Sequence, residues 1–179
     1  METPVLNMTS VLHEIREMSP EELEKKDIEY KARKEQLELE YRMMDLIKEH
    51  RYEEYANVWR TSLDFEHQKF QVGMILIKID MLYRYSSYVK IDDDYSKTLI
   101  ELGQDVVPIL IQVLQDDDML IAQGWQHESM TNKCPLQIFN ILAVITKENP
   151  VSENHQGNIK LMRHDWIHWW SDKETVDDF

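Results

Sequence analysis

The chain has 179 residues, a single cysteine and a formal net charge of −14 at pH 7. This length can bury a hydrophobic core without disulfides, a lone cysteine excludes an intramolecular disulfide, and no apolar run is long enough to span a membrane. Because the excess of carboxylates repels phosphate backbones, direct nucleic-acid binding is not expected, and the charge favours either a basic partner or solubility alone.

Only 4 Gly and 5 Pro interrupt the sequence, which favours an all-α fold. After an N-terminal arm at 1–19, we predict a long charged helical segment over 20–58 that begins with a Ser-Pro-Glu-Glu capping box. Apolar residues recur there every seven positions, but charged companions argue against a sustained coiled coil. The helix is expected to pack on the rest of the chain through Leu37, Tyr41, Met44 and Ile47.

A helical domain is predicted over 59–171, followed by an acidic tail at 172–179. The helical pattern breaks at 61–64. The next stretch, 65–85, contains a β-branched apolar run that fits either a buried strand or a buried helix, and its helical neighbours favour a helix.

The three carboxylates Asp92–Asp94 lack the ligand spacing of a calcium loop, so an acidic N-cap on the following helix explains them better. That helix is expected to end at Gly103, where a C-cap needs a glycine. Another apolar helix follows and reaches Leu114.

The stretch Pro135–Pro150 is apolar nearly all round when wound as a helix, which predicts neighbours on most of its sides. Asn158 is expected to cap the last helix, which carries three tryptophans. The predicted core joins the two helices through Phe139, Leu142 and Trp166.

The cadence Leu-Gly, two polar residues, Val-Val-Pro and an apolar helix, which begins at Leu102, resembles the helix pairs of HEAT-type repeats. With the turn Ile145–Pro150 and the last helix carrying Trp166 and Trp169, residues 86–170 resemble an uncharacterised family of small bacterial HEAT-like all-helical proteins. That family has Gly where this chain has Lys147. The resemblance implies a short HEAT-like helical bundle and a bacterial or phage setting, and it offers no reaction.

His164-Asp165-x-x-His168 is the strongest candidate for chemistry, because two His four apart on a helix can bind one zinc ion. The acid is one carbon shorter than in the zinc-protease motif, no third ligand is evident, and both His are expected on the solvated side. A metal-dependent hydrolase using His164 and His168 is therefore the alternative, while the leading interpretation has no catalytic residue, no metal and no cofactor.

The leading hypothesis is a non-enzymatic module that covers a basic protein partner, as immunity proteins, antitoxins, defence-system subunits and phage inhibitors do. A self-associating scaffold held by the N-terminal helix is the alternative, and an acidic mimic of nucleic acid is a third possibility. The exposed residues expected to contact a partner are Glu22, Glu29, Glu35, Asp116, Asp117, Asp118, Trp125 and Trp170.

Overall fold

A computed structural model of the chain describes residues 18–83, 90–115 and 133–177. All regular structure in these ranges is helical, which confirms the all-α prediction and the long N-terminal helix. The α-helices are α1 (Pro20–Lys48), α2 (Tyr52–Ser62), α3 (Phe65–Tyr83), α4 (Asp94–Leu102), α5 (Val107–Gln115), α6 (Lys133–Thr146) and α7 (Ile159–Asp177), with 3₁₀ turns at Gly103–Val106 and Glu153–His155. Within the described ranges no helix has both the length and the apolarity to cross a membrane.

The chain divides into two compact units, Met1–Arg42 and Met43–Phe179, so the division falls inside α1. The last turns of α1 belong to the second unit and bury Met43, Leu46 and Ile47. Their burial explains why the division falls earlier in the sequence than the expected change at 58/59.

The expectation that Leu37 and Tyr41 pack on the body is wrong, since their exposed fractions are 44% and 71%. At about 100° per residue, the buried Met43 lies roughly opposite Tyr41 around the helix. The seven-residue recurrence therefore marks an exposed side of α1, and a different side enters the core.

The second unit is built around α4, which packs against α2, α3 and α6. Helix α6 also packs against α3, α5 and α7, and α5 packs against α7. The three side chains of the predicted core, Phe139, Leu142 and Trp166, are all buried, as expected.

Helix α4 has both predicted caps. The Asp93 carboxylate accepts hydrogen bonds from the backbone N–H groups of Tyr95 and Ser96, at 3.0 and 2.9 Å, which confirms the acidic N-cap. Gly103 follows the last turn with φ +63°, a conformation that favours glycine, and so confirms the C-cap.

A buried polar chain connects three of these helices. The Ser96 hydroxyl donates to Asp93 at 2.6 Å, and the Gln137 amide of α6 donates to the Ser96 hydroxyl at 2.6 Å. Gln137 also donates to the backbone carbonyl of Lys90, and the Tyr83 hydroxyl of α3 donates to Asp93 at 3.0 Å. Because Gln137 and Ser96 are fully buried, these bonds compensate the desolvation of the Gln137 amide N–H groups and of the Ser96 hydroxyl.

Helix α6 is less enclosed than its composition predicts. Its neighbours leave one side open, where Asn140 is exposed and Val144 has an exposed fraction of 42%. Apolar residues on every side of a helix show only that each side could be buried. How many helices pack around it depends on the rest of the fold.

Helix α6 ends at Thr146, and Lys147 adopts φ +59°. This left-handed conformation is costly for a residue with a Cβ atom. Glycine adopts the same conformation without this cost.

We predict that Lys147→Gly stabilises the protein by about 0.5–1 kcal/mol, because relief of left-handed strain exceeds the added entropy of the unfolded chain. Urea unfolding followed by circular dichroism measures the change. Lys147→Ala is the matched control, since it removes the same charge but keeps the Cβ atom, and it should give no such gain. Equal effects of both substitutions would show that backbone strain at Lys147 is not the cause of the gain.

We predict that Leu142→Ala lowers the free energy of unfolding by about 2–5 kcal/mol, through lost burial and the cavity left behind. Val144→Ala on the exposed side of the same helix should cost less than about 1 kcal/mol. Similar losses for the two variants in urea unfolding would contradict the assignment of the core.

Candidate protein-interaction surfaces

A row of apolar side chains lies on the outer side of α3. Phe70, Met74, Ile77 and Met81 follow one another at spacings of four, three and four residues, which places them on one helix face. Phe70 and Met81 have exposed fractions of 52% and 59%, and the two residues between them are half-buried. We call these four residues the α3 stripe, and it extends over about 16 Å.

The opposite face of α3 carries the core contacts, through Val72, Ile75, Leu76 and Ile79. Helix α3 is therefore apolar on two sides, one of them covered by the protein and one open. Exposed apolar surface of this kind is unfavourable in water at roughly 25 cal/mol per Å². Methionine side chains adapt their shape easily and recur on protein-binding surfaces.

The α3 stripe was not predicted from the sequence, because the apolar run 72–79 was interpreted only as a buried segment. The signal was present as the spacing from Phe70 to Met81. The spacing was not decisive, because the face of α3 that enters the core is also apolar. Periodicity alone therefore cannot distinguish the exposed face from the buried one.

The tryptophans of α7 have different roles. Trp166 is buried, and Trp169 packs edge-on against it with ring centroids 5.3 Å apart. The Trp169 indole N–H donates to Glu148 at 2.7 Å, and Lys173 donates to the same carboxylate at 2.8 Å. The hydrogen bond from Lys173 has the larger effect and that from Trp169 the smaller, and together they hold the pKa of Glu148 below its ordinary value. Trp169 thus secures the turn after α6.

Trp170 is half-buried, and its ring lies 6.2 Å from that of Trp169. It keeps part of its surface open and stays a candidate for contact with a partner.

The two histidines of the motif on α7 are exposed, as expected, with ring centroids 6.2 Å apart. Asp165, the acid that a hydrolase would use, instead faces His155, whose Nδ1 lies 2.7 Å away, and accepts from the Ser152 N–H at 3.2 Å. His168 lies 3.0 Å from Asp172. In the part of the chain that the structure describes, no group of three His, Cys, Asp or Glu residues is placed to hold a metal ion.

Asp165 connects α7 to the loop before it. Burial raises the pKa of Asp165, but the hydrogen bonds from His155 and Ser152 outweigh this effect and hold the pKa below the ordinary 3.8. A lowered pKa in the folded state means that the unfolded chain binds protons first as the pH falls. The contribution of Asp165 is therefore present at neutral pH and lost in acid.

We predict that Asp165→Asn reduces stability at pH 7 and flattens its decline between about pH 5 and pH 2, since the titrating group is removed. Urea unfolding at a series of pH values measures both effects. Glu153→Gln, an exposed substitution with the same charge change in the same loop, should keep the original pH dependence. If the free energy of unfolding of Asp165→Asn depended on pH in the same way as that of the unchanged chain, Asp165 would not be the group responsible for the loss of stability in acid.

A polar recess of about 290 Å³ lies at the turn between α1 and α2. The Tyr52 hydroxyl donates to Asp94 at 2.6 Å, and His50 Nδ1 lies 3.0 Å from the same carboxylate. Burial and the bond to Asp94 raise the pKa of Tyr52 to about 12, so the phenol stays protonated at neutral pH. Arg51 pairs with Glu49 and Glu54. Hydrogen bonds and ion pairs among its own residues thus occupy the polar groups of the recess named here.

Three of the residues predicted for partner contact, Glu22, Glu29 and Glu35, lie on α1. Glu22 closes the capping box with Ser19, accepting from its N–H at 2.8 Å, so this carboxylate serves α1 itself. Glu29 and Glu35 are exposed on the first unit. The other predicted contacts, Asp116, Asp117, Asp118 and Trp125, lie outside the described residues.

Comparison of the chain with protein-family models, with curated proteins and with solved structures finds no match to any of them.

Proposed function

We propose that this chain is a non-enzymatic protein-binding module, and that a protein partner covers the α3 stripe. The observation that supports this proposal is the pair of apolar faces on α3, where residues with exposed fractions of 52% and 59% lie opposite a fully packed face. An open apolar face on a packed helix is the kind of surface that binds another protein.

Charge indicates the chemistry of the partner. The unit Met43–Phe179 contains 23 Asp and Glu against 13 Lys and Arg, a formal charge of −10. A field of that sign accelerates encounter with a basic protein and repels an acidic one. The proposed partner therefore has apolar side chains for the α3 stripe within a surface rich in Lys and Arg, and salt weakens its encounter.

The proposed biological role is that of an inhibitor or a subunit, related to immunity, antitoxin or defence functions, in the cytoplasm of a bacterium or under the control of a phage. Its support is the resemblance of residues 86–170 to the bacterial HEAT-like family, together with the acidic charge. This role needs no metal ion and no cofactor.

We predict that a basic protein copurifies stoichiometrically with the full chain from the native host, and that salt releases it. Phe70→Ser/Met81→Ser should weaken this binding at least about tenfold, because both substitutions remove apolar contact at the α3 stripe. The matched control is Leu161→Ser, which alters an apolar residue of α7 with an exposed fraction of 39%. It should leave binding unchanged.

Mass spectrometry identifies the captured protein, and titration of the purified pair measures the dissociation constant. Equal binding by the α3 double variant and the unchanged chain would show that the stripe is not the contact. Failure to capture any protein under low-salt conditions would overturn the proposed function.

A further inference from the structure

Helix α1 carries a second exposed apolar face, within the unit Met1–Arg42. Leu23, Tyr30, Leu37 and Tyr41 have exposed fractions of 40%, 69%, 44% and 71%. At about 100° per residue they fall within an arc of about 40°, so they form one continuous row. We call these four residues the α1 stripe, and it extends over about 27 Å.

We propose that the α1 stripe is covered by the α1 stripe of a second copy of this chain, with the two helices antiparallel and crossing near Tyr30. This inference goes beyond the proposed function and concerns a different surface from the α3 stripe.

Charges of both signs lie along α1. The segment 20–42 contains eight acidic and six basic residues. Two copies of a surface that carries one sign of charge repel each other, whereas two copies of a mixed surface can place opposite charges side by side. The mixed charge of α1 therefore permits contact between two copies.

The positions of two charged residues select the antiparallel orientation. Asp27 and Lys34 lie along the α1 stripe, between its apolar residues, at about 40° and 20° from Leu23. A parallel pair in register would place Asp27 beside Asp27 and Lys34 beside Lys34. Like charges in such positions oppose association.

In an antiparallel pair centred on Tyr30, like charges no longer lie side by side. It brings Leu23 of one helix level with Leu37 of the other, and it brings Asp27 within one residue, or about 1.5 Å of rise, of the level of Lys34. Asp27 and Lys34 then lie near each other's opposite charge, and Leu23 and Tyr30 lie level with Leu37 and Tyr30 of the other helix. Tyr41 lies level with Ser19, at the end of the contact.

The charges remain available for such contact. Within one helix, Asp27 pairs with Lys31 at 2.6 Å and Lys34 pairs with Glu38 at 3.9 Å. The Asp27 and Lys34 side chains nevertheless keep exposed fractions of 58% and 64%. Intrahelical pairs at this exposure contribute little to helix stability, so they compete weakly with contacts to a second copy.

Analytical ultracentrifugation of the full chain over a range of concentrations tests the dimer. We expect reversible dimerisation, and Leu37→Ser should raise the dissociation constant at least about tenfold, since both copies lose an apolar contact. Ile28→Ser is the matched control, because Ile28 has an exposed fraction of 61% and lies roughly 140° from Leu23 around the helix. It should leave the dissociation constant unchanged.

A monomer at every concentration would overturn the proposal, as would equal effects of Leu37→Ser and Ile28→Ser. Circular dichroism of each variant checks that the chain keeps its helical content. The outcome is independent of the α3 stripe, since Phe70→Ser/Met81→Ser should not change dimerisation.

Disulfide cross-linking tests the orientation. When chains carrying Leu23→Cys are mixed with chains carrying Leu37→Cys and oxidised, we expect the disulfide between positions 23 and 37 to predominate. Peptide mass spectrometry separates this product from any that involves Cys134. Predominant disulfides between identical positions would indicate a parallel pair and would overturn the antiparallel arrangement.

Discussion

The second unit depends on the hydrogen bonds that meet at Ser96. Its hydroxyl accepts from Gln137 of α6 and donates to Asp93, which caps α4 and also accepts from Tyr83 of α3. Apolar helix faces alone tolerate sliding and rotation, because dispersion and the hydrophobic effect have little directionality. The fully buried contact between Gln137 and Ser96 would lose its partner on a shift of a few ångströms, so it fixes α4 against α6, and the part-buried bond from Tyr83 to Asp93 adds a directional contact to α3.

The sequence determines helix ends well, because caps depend on residues within a few positions of one another. Ser19 with Glu22, Asp93 and Gly103 were all predicted from local patterns and occupy their expected roles. The orientation of a helix depends on elements distant in the sequence. For that reason Leu37 and Tyr41 were expected to pack on the body and are exposed. The open side of α6 at Val144 has the same explanation.

The candidate surfaces were harder to predict from the sequence than the fold was. Acidic residues such as Glu29 are easily recognised in a sequence, but most carboxylates on protein surfaces are simply solvated, so they do not by themselves indicate a binding site. Exposed apolar residues on α3 and α1 are more informative, and only the structure separates them from core residues. Met81 and Tyr41 illustrate this, since each belongs to a helix whose other face is buried.

The buried chain at Ser96 is also expected to order the folding of the second unit. The Asp93 cap closes over three residues, whereas the Gln137 bond to Ser96 closes 41. Since the entropic cost of closure grows with the length of the loop, the start of α4 can form before α6 arrives. The preformed turn then presents the Ser96 hydroxyl as the acceptor that selects the correct docking position for α6.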